Sequence, residues 1–168
     1  MISDTKSLVT RYYPQIARDL LKPLLSLFSH CVEVCGCDIT KFMVMLVVAV
    51  RTTMHRDFGN FTQEQLISGE IPIFPCLPVS VRSIAEILGL PKETIRRKVT
   101  ELAEAGWLVR EHGRLYFTAA AYQQLSPVRE QIEDLAARYY EVVAALKADT
   151  KPGRASTPSV WMRGSSTT

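Results

Sequence analysis

The chain has 168 residues, of which 47% are apolar and 22% are charged, and its formal net charge is +3. A chain of this length and composition can bury a sizeable core, so we expect one globular body and exclude a small scaffold that depends on disulfide staples. The first thirteen residues lack the pattern of a secretory signal, and we therefore expect a cytoplasmic protein with reduced cysteines.

The N-terminal region, residues 1–58, is predicted to form helices that contribute to the core and to a dimer interface. An apolar stripe predicts a first helix from Pro14 to Ser29, and Pro23 is expected to kink or divide it. A second helix is predicted from Asp38 to about Phe58. Its nine consecutive apolar residues are fewer than the ~20 that cross a membrane. We expect a buried central helix, packed on all sides or shared between subunits, and no membrane partner.

Three cysteines follow the first predicted helix in a Cys-x3-Cys-x-Cys run: Cys31, Cys35 and Cys37. Residues of this kind can ligate a metal or respond to oxidants. A structural zinc site usually takes paired ligands from two separate places, whereas here only the single Cys76 stands elsewhere. We therefore expect ordinary free thiols and no cofactor, and we keep the three clustered cysteines as candidate metal or redox residues.

Residues 59–78 are predicted to be a connector, since they contain three prolines and two glycines. Thr62 and Gln65 have the spacing of a capping box, which predicts one short helix that ends near Ile67. The stretch from Ile71 to Leu77 is expected to be extended, because residues that precede proline avoid the helical region.

Residues 79–118 carry the pattern of two short helices joined by a tight turn. A helix from Ser83 to Leu88 is predicted by the one-sided spacing of Ile84, Ile87 and Leu88. Gly89 allows a left-handed backbone, and Pro91 suits the opening of the next helix because the first N–H groups of a helix are unpaired.

The second helix and the residues after it complete a winged helix-turn-helix. Its buried face is predicted to consist of Ile95, Val99 and Leu102, and Gly106 is expected to end the helix. Residues 107–109 and 115–117 are β-prone runs, so we predict a hairpin whose tip spans residues 110–114.

This layout suits DNA, because a major groove about 12 Å wide admits one α-helix whose first residues reach base edges. Residues 79–118 carry seven basic against five acidic side chains, and residues from Lys147 onward carry four against one. Arg96 and Arg97 are predicted to contact bases, most simply guanine. Other predicted contacts are Lys92, Thr94 and Arg114 with phosphates and His112 in or beside the minor groove.

Residues 81–114 resemble, without a gap, the DNA-binding head of GntR-type bacterial transcription regulators. The matching residues are Arg82, Lys92, Thr94-Ile95-Arg96, Gly106-Trp107-Leu108 and His112-Gly113-Arg114. The resemblance implies that a helix-start arginine, here Arg82, contacts phosphate and that Gly113 belongs to the DNA-contacting wing tip. Pro91 and Glu93 depart from the family pattern, which often has small hydroxyl donors at these positions.

The rest of the chain departs from the GntR plan, in which a large effector-binding domain follows the head. Helices predicted on both sides of the head are more like the MarR-type layout, in which outer helices pair two subunits. Thr118, at the end of the wing, is predicted to cap a turn. Within residues 119–147 a helix is predicted from Ser126 to about Lys147. We assign its apolar face to a dimer interface, the alternative being that it folds back on its own subunit. Residues 148–168 are predicted to form a flexible basic tail.

The sequence therefore predicts a mainly α protein with a small β-hairpin wing, built as a winged helix-turn-helix flanked by N- and C-terminal dimerisation helices. We predict a bacterial, homodimeric regulator that binds double-stranded DNA at a pseudo-palindromic operator. The alternative is a winged-helix protein-interaction module without sequence-specific DNA binding. No phosphate loop, nucleophile elbow or HExxH pair occurs in the sequence, and we predict no enzyme. A small-molecule effector is left open.

Overall fold

The structure is a computed structural model, and it describes residues 2–149. The predicted flexible tail lies, from residue 150 onward, outside the described residues. Within them the elements are α1 (Ile2–Val34), α2 (Ile39–Thr53), a 3-10 turn (Phe58–Asn60), α3 (Gln63–Ser68), α4 (Val81–Leu88), α5 (Lys92–Glu104), β1 (Leu108–Glu111), β2 (Arg114–Phe117), α6 (Ala119–Gln124) and α7 (Ser126–Asp149). The predicted fold class, mainly α with one small hairpin, is confirmed. No helix among these residues is long and apolar enough to cross a membrane.

The chain divides into two compact units. Within the described residues, the first comprises residues 2–24 and 134–149, and the second comprises Leu25–Glu133. In the first unit the Tyr139 hydroxyl of α7 donates a hydrogen bond to the carbonyl oxygen of Leu20 in α1, at 2.8 Å. One residue of the predicted dimer face thus contacts its own chain.

The second unit contains the winged helix-turn-helix and its core. Buried apolar side chains from α2, α4, α5, both strands and α6 form one cluster. The predicted inner face of α5 is confirmed, because Ile95, Val99 and Leu102 are all buried there. The predicted face of α4 is partly wrong: Ile87 is 53% exposed, and Ala85 is buried instead, beside Ile84. The side of α4 that packs on the core therefore consists of Ile84, Ala85 and the partly buried Leu88, and Ile87 lies outside it.

The ends of α4 and α5 follow from local backbone chemistry. The Ser80 hydroxyl accepts a hydrogen bond from the N–H of Ser83, and the Ser83 hydroxyl accepts one from the N–H of Ser80, so α4 begins with a capping box. Gly89 ends α4 with φ +64°, as predicted. Pro91 stands as the N-cap, one residue before α5, rather than as its first residue.

Two predicted helix boundaries in the N-terminal region are wrong. Helix α1 begins at Ile2, not at Pro14, and it continues through Pro23 to Val34 without being divided. Each proline removes one intrahelical hydrogen bond, and the bonds on either side maintain the helix. Helix α2 ends at Thr53, so the predicted end near Phe58 is five residues too far.

Helix α2 is buried on one side and exposed on the other, although burial on all sides was one of the two predictions for it. Leu46 is 38% exposed and Val50 is 47% exposed, whereas Val44, Met45 and Val48 are fully buried. Packing on all sides is therefore not found within one chain, and sharing between subunits stays a prediction.

The connector is more ordered than its prolines suggest. The capping box of Thr62 and Gln65 is confirmed, and it begins α3. Ile73 forms an antiparallel bridge with Thr118, and the N–H of Phe74 donates to the carbonyl oxygen of Phe117 at 2.9 Å. This short extended segment thereby supports the end of β2, a pairing that the sequence analysis missed.

Candidate nucleic-acid interface

Helix α5 presents three of its four basic residues on the side opposite the core. Lys92, Arg96 and Arg97 are exposed in its first two turns, and Thr94 is half-buried beside them. Because Ile95 and Val99 are fully buried, the rotation of the helix about its axis is fixed. Three of the predicted DNA-contacting residues therefore share an accessible surface at the N-terminal end of a well-packed helix.

Arg96 is engaged with a carboxylate of its own helix. Its Nε donates to Glu93 Oε2 at 2.8 Å, and its Nη2 donates to Glu93 Oε1. This hydrogen bonding raises the pKa of Arg96 and lowers the pKa of Glu93. Exposed ion pairs of this kind contribute little free energy, so the guanidinium remains available for exchange with another anion.

The other arginines of the two helices are held more loosely or at longer range. Arg82 Nε lies 2.9 Å from Glu86 Oε1 on the exposed side of α4. Arg97 Nε lies 4.0 Å from Glu101 Oε1, at the outer limit of an ion pair. Lys92 makes no side-chain hydrogen bond or ion pair with any residue that the structure describes. Arg97 and Lys92 are thus the least engaged cations of α5.

The wing is tighter than the sequence predicted. Strands β1 and β2 pair in antiparallel register, with Glu111 opposite Arg114 and Arg110 opposite Leu115. Only His112 and Gly113 form the turn, and both have positive φ, at 49° and 75°. This two-residue turn with left-handed backbone matches the twist of a hairpin. The predicted five-residue tip is therefore wrong at its edges, since Arg110 and Arg114 lie on strands.

The two wing arginines point to opposite faces of the hairpin. Cross-strand partners share a face, and successive residues alternate between faces. Arg110 therefore shares the face of buried Leu115, and Arg114 shares the outer face with Glu111. Neither arginine makes a side-chain ion pair with the described part of the chain.

An ion network that the sequence analysis missed anchors α5 to α2. The Lys98 ammonium lies 2.7 Å from Asp38 Oδ2 and 3.2 Å from Glu101 Oε1. Lys41 Nζ lies 2.8 Å from Glu101 Oε2. The Lys98 side chain is only 14% exposed, so this cation positions α5 rather than offering charge to DNA.

Asp38 has two roles in this network. Its Oδ1 accepts a hydrogen bond from the N–H of Lys41 at 3.1 Å and so caps α2. Burial would raise the pKa of Asp38, but hydrogen bonds from Lys98 and from the Lys41 backbone outweigh it, and the pKa is lowered. The carboxylate is therefore held ionised. Of the three ion pairs in this network, only Lys98–Glu101 joins residues that are close in sequence. Its i,i+3 spacing is a pattern that sequence analysis can detect.

The clustered cysteines do not form a ligand set. Cys31 and Cys35 are buried with Phe42 and Val128 in a small apolar cluster, whereas Cys37 is exposed. Burial raises the pKa of the Cys35 thiol to about 11 and also raises that of Cys31. Across residues 2–149 no group of three or more His, Cys, Asp or Glu side chains is arranged to hold a metal ion.

Residues 78–120 match the family model of the DeoR-like helix-turn-helix domain. The match covers α4, α5, both strands and the start of α6, which is the winged helix-turn-helix described above. It supports a winged helix-turn-helix transcription regulator that binds DNA, and such domains are typical of regulators rather than enzymes. The more specific GntR and MarR resemblances are not confirmed. Neither the comparison with curated proteins nor that with solved structures gave a match.

Proposed function

We propose that this chain is a sequence-specific transcription regulator that binds double-stranded DNA as a homodimer on a pseudo-palindromic operator. The observation that carries the proposal is the first half of α5, where exposed Lys92, Arg96 and Arg97 stand opposite a fully buried apolar face. A helix presented in this way fits a major groove. The resemblance of the head to bacterial regulators leads us to propose a bacterial protein as well, and a DNA partner leads us to propose a cytoplasmic one.

The proposed contacts divide between bases and backbone. Arg97 and Arg96 bond to guanine O6 and N7, and Arg96 exchanges its pair with Glu93 for this purpose. Arg82, Lys92, Thr94 and Arg114 bond to phosphates. His112 and Gly113 lie in or beside the minor groove.

The proposed dimer uses the helices outside the DeoR-like domain. Apolar side chains are exposed on α1, where Leu25 is 68% exposed and Phe28 is 46% exposed. Exposed apolar surface of this kind marks interaction sites. The proposed domain division is 1–58 and 119–147 for the helical flanks, 59–78 for the connector, 79–118 for the DNA-binding head and 148–168 for the tail.

The salt dependence of DNA binding tests this proposal. A protein that neutralises several phosphates loses affinity steeply as salt rises, because it releases condensed counterions. We expect fluorescence anisotropy with a labelled duplex to show this slope, and we expect Lys92→Gln to reduce the slope by about one. A matched Lys22→Gln variant, changed outside the DNA-binding head, is expected to keep the full slope.

A protein-interaction module is the second candidate function. The observation that favours it is the ion pair between the Glu93 carboxylate and the Arg96 guanidinium, which lies on the surface that would face DNA. In that case Glu93 and Arg96 are contact residues for a protein partner. Affinity for duplex DNA that is weak and unchanged by Lys92→Gln would favour this second function over the first.

A further inference from the structure

Among the described residues, three cations lie within 4.0 Å of the carboxylate of Glu101, in the third turn of α5. Lys41 Nζ of α2 lies 2.8 Å from Oε2, and Lys98 Nζ donates to Oε1 at 3.2 Å and to Oε2 at 3.3 Å. One helical turn earlier, Arg97 Nε lies 4.0 Å from Oε1. Both lysines are partly buried, whereas Arg97 is 67% exposed. The carboxylate is thus anchored by two ammonium groups and lies beside an exposed arginine.

The anchors distinguish Glu101 from the other carboxylate beside the arginines of α5. Glu93 is 73% exposed, and among the described residues its carboxylate forms an ion pair with Arg96 alone. Glu101 is 31% exposed, and hydrogen bonding from Lys41, together with that from Lys98, lowers its pKa. Glu101 is therefore an ionised group in a fixed place, whereas Glu93 is held by one exposed side chain.

Arg97 approaches Glu101 with its Nε atom. A guanidinium has five N–H donors, of which four belong to Nη1 and Nη2. Neither Nη group of Arg97 makes a hydrogen bond with any residue that the structure describes. Arg96 differs, because it uses both Nε and Nη2 for Glu93. Arg97 thus keeps the end of its guanidinium for a bidentate contact, of the kind that arginine makes with guanine O6 and N7.

We propose that Glu101 is a positioning residue for Arg97 and thereby determines a preference for guanine at one base pair of each half-site. Its carboxylate attracts the Nε side of Arg97 and so restricts the directions in which this long side chain points. A side chain that is already oriented loses less conformational freedom on binding than a freely rotating one. This inference rests on the proposed function and adds the residue that sets the specificity of one of its contacts.

Helix α2 contributes to this preference through Lys41, which lies outside the residues 78–120 that match the DeoR-like domain. Its ammonium holds Oε2 of Glu101, and Arg97 is nearest to Oε1. A carboxylate close to DNA is repelled by the phosphates, since like charges at an interface are costly. The charges of Lys41 and Lys98 offset this repulsion, so Glu101 can stand near DNA and act on Arg97.

The test is selection of bound fragments from random duplex DNA with the unaltered protein, with Arg97→Ala and with Glu101→Gln, which keeps the shape of the side chain without its charge. We expect Arg97→Ala to lose the guanine preference at one position of each half-site. Glu101→Gln is expected to weaken the preference at that same position and to keep the others.

Anisotropy titrations then measure the preference with the selected duplex and with a duplex in which that G·C pair is changed to A·T. We expect about tenfold discrimination by the unaltered protein and about threefold by Glu101→Gln. The control Glu104→Gln removes another carboxylate of α5, one without a contact to Arg97, and is expected to keep the tenfold value.

An Arg97→Ala, Glu101→Gln double variant separates positioning from a purely structural role. If Glu101 acts through Arg97, the double variant discriminates as well as Arg97→Ala alone, because the two effects are not additive. Lys41→Gln removes one anchor of Glu101 and is expected to weaken the same position, and it serves as the test if Glu101→Gln fails to fold.

Two results would overturn this inference and leave the proposed function intact. One is an unchanged guanine preference in Glu101→Gln, or in Lys41→Gln where the first variant does not fold. The other is a further loss of discrimination in the double variant beyond that of Arg97→Ala. Selection of no consensus by the unaltered protein would overturn the inference together with the proposed function, so the two failures are distinguishable.

Discussion

The Lys98 ammonium of α5 lies 2.7 Å from the carboxylate of Asp38, which caps α2. Glu101 extends this contact by pairing with both Lys98 and Lys41. Because Asp38 and Lys98 are sixty residues apart in sequence, the pair joins two helices that are not neighbours in the chain. The orientation of α5 is thus set by its buried face and by a charged contact at its middle.

Asp38→Ala is expected to lower the free energy of unfolding by about 1 kcal/mol or more, because it removes the N-cap of α2 together with the partner of Lys98. Asp38→Asn is the matched variant, since an asparagine also caps a helix and only the charge is lost. We expect urea denaturation to show the highest stability for the unaltered protein, a lower one for Asp38→Asn and the lowest for Asp38→Ala. Equal stability of the Asn variant and the unaltered protein would contradict a role for the ion pair.

The pH dependence of the same proteins separates the charge from the cap. The pKa of Asp38 is lowered in the folded chain, so the folded state binds a proton less readily than the unfolded state. The stabilisation is therefore complete above the unfolded pKa of about 3.9 and is lost as the pH falls through the folded value. The difference between the unaltered protein and Asp38→Asn is expected to shrink below about pH 4.

Glu93→Gln is expected to raise the affinity for duplex DNA by roughly two- to fivefold, because it frees Arg96 and removes a negative charge near the phosphates. Glu104→Gln is the control, since it removes a carboxylate from the far end of the same helix. Anisotropy titrations at one fixed salt concentration give the comparison. An equal increase in affinity for both variants would mean that the change in net charge causes it, and not the release of Arg96 from Glu93.

Gly113→Ala is expected to destabilise the protein by about 1 kcal/mol, because alanine is strained at a φ of +75°. Apart from the adjacent residues, no atom of the described chain lies within 4 Å of the added Cβ, so we attribute the loss to backbone strain. Gly59→Ala tests this, since Gly59 has equally open surroundings without a left-handed φ. Urea denaturation should show a loss for Gly113→Ala alone.

Alkylation of the cysteines tests their local environments. Cys37 is exposed, whereas Cys31 and Cys35 are buried and the pKa of Cys35 is about 11. At pH 8 we therefore expect iodoacetamide to modify Cys37 first and the two buried thiols only after denaturation. Mass spectrometry of the time course gives the order. Rapid modification of Cys35 in the folded protein would contradict this order and would support a redox role for Cys35.

Local patterns predicted the DNA-binding head well because local chemistry forms it. The left-handed Gly89, the buried spacing of Ile95, Val99 and Leu102, and the β-prone runs around the wing each depend on residues within a few positions. Thr62 and Gln65 illustrate the same point in the connector, since a capping box is complete within four residues.

The features that the sequence did not predict depend on distant partners. The pairing of Lys98 with Asp38 and the bridge between Ile73 and Thr118 are determined by how elements pack, and no local spacing encodes them. The exposure of Ile87 likewise reflects which side of α4 meets the core. Helix α1 is continuous over 33 residues although it contains Pro14 and Pro23. These prolines therefore do not mark where the helix begins or ends.

The most direct test of the central claim is selection of bound fragments from random duplex DNA, carried out at two salt concentrations. The unaltered protein is compared with an Arg96→Ala, Arg97→Ala double variant and with Arg56→Ala, an exposed arginine outside the DNA-binding head. We predict enrichment of an inverted repeat with half-sites about 34 Å, or one helical turn, apart. The enrichment should be lost in the double variant and kept in the control. Recovery of no consensus, or equal recovery by the double variant, would contradict a dimeric regulator that reads sequence through α5.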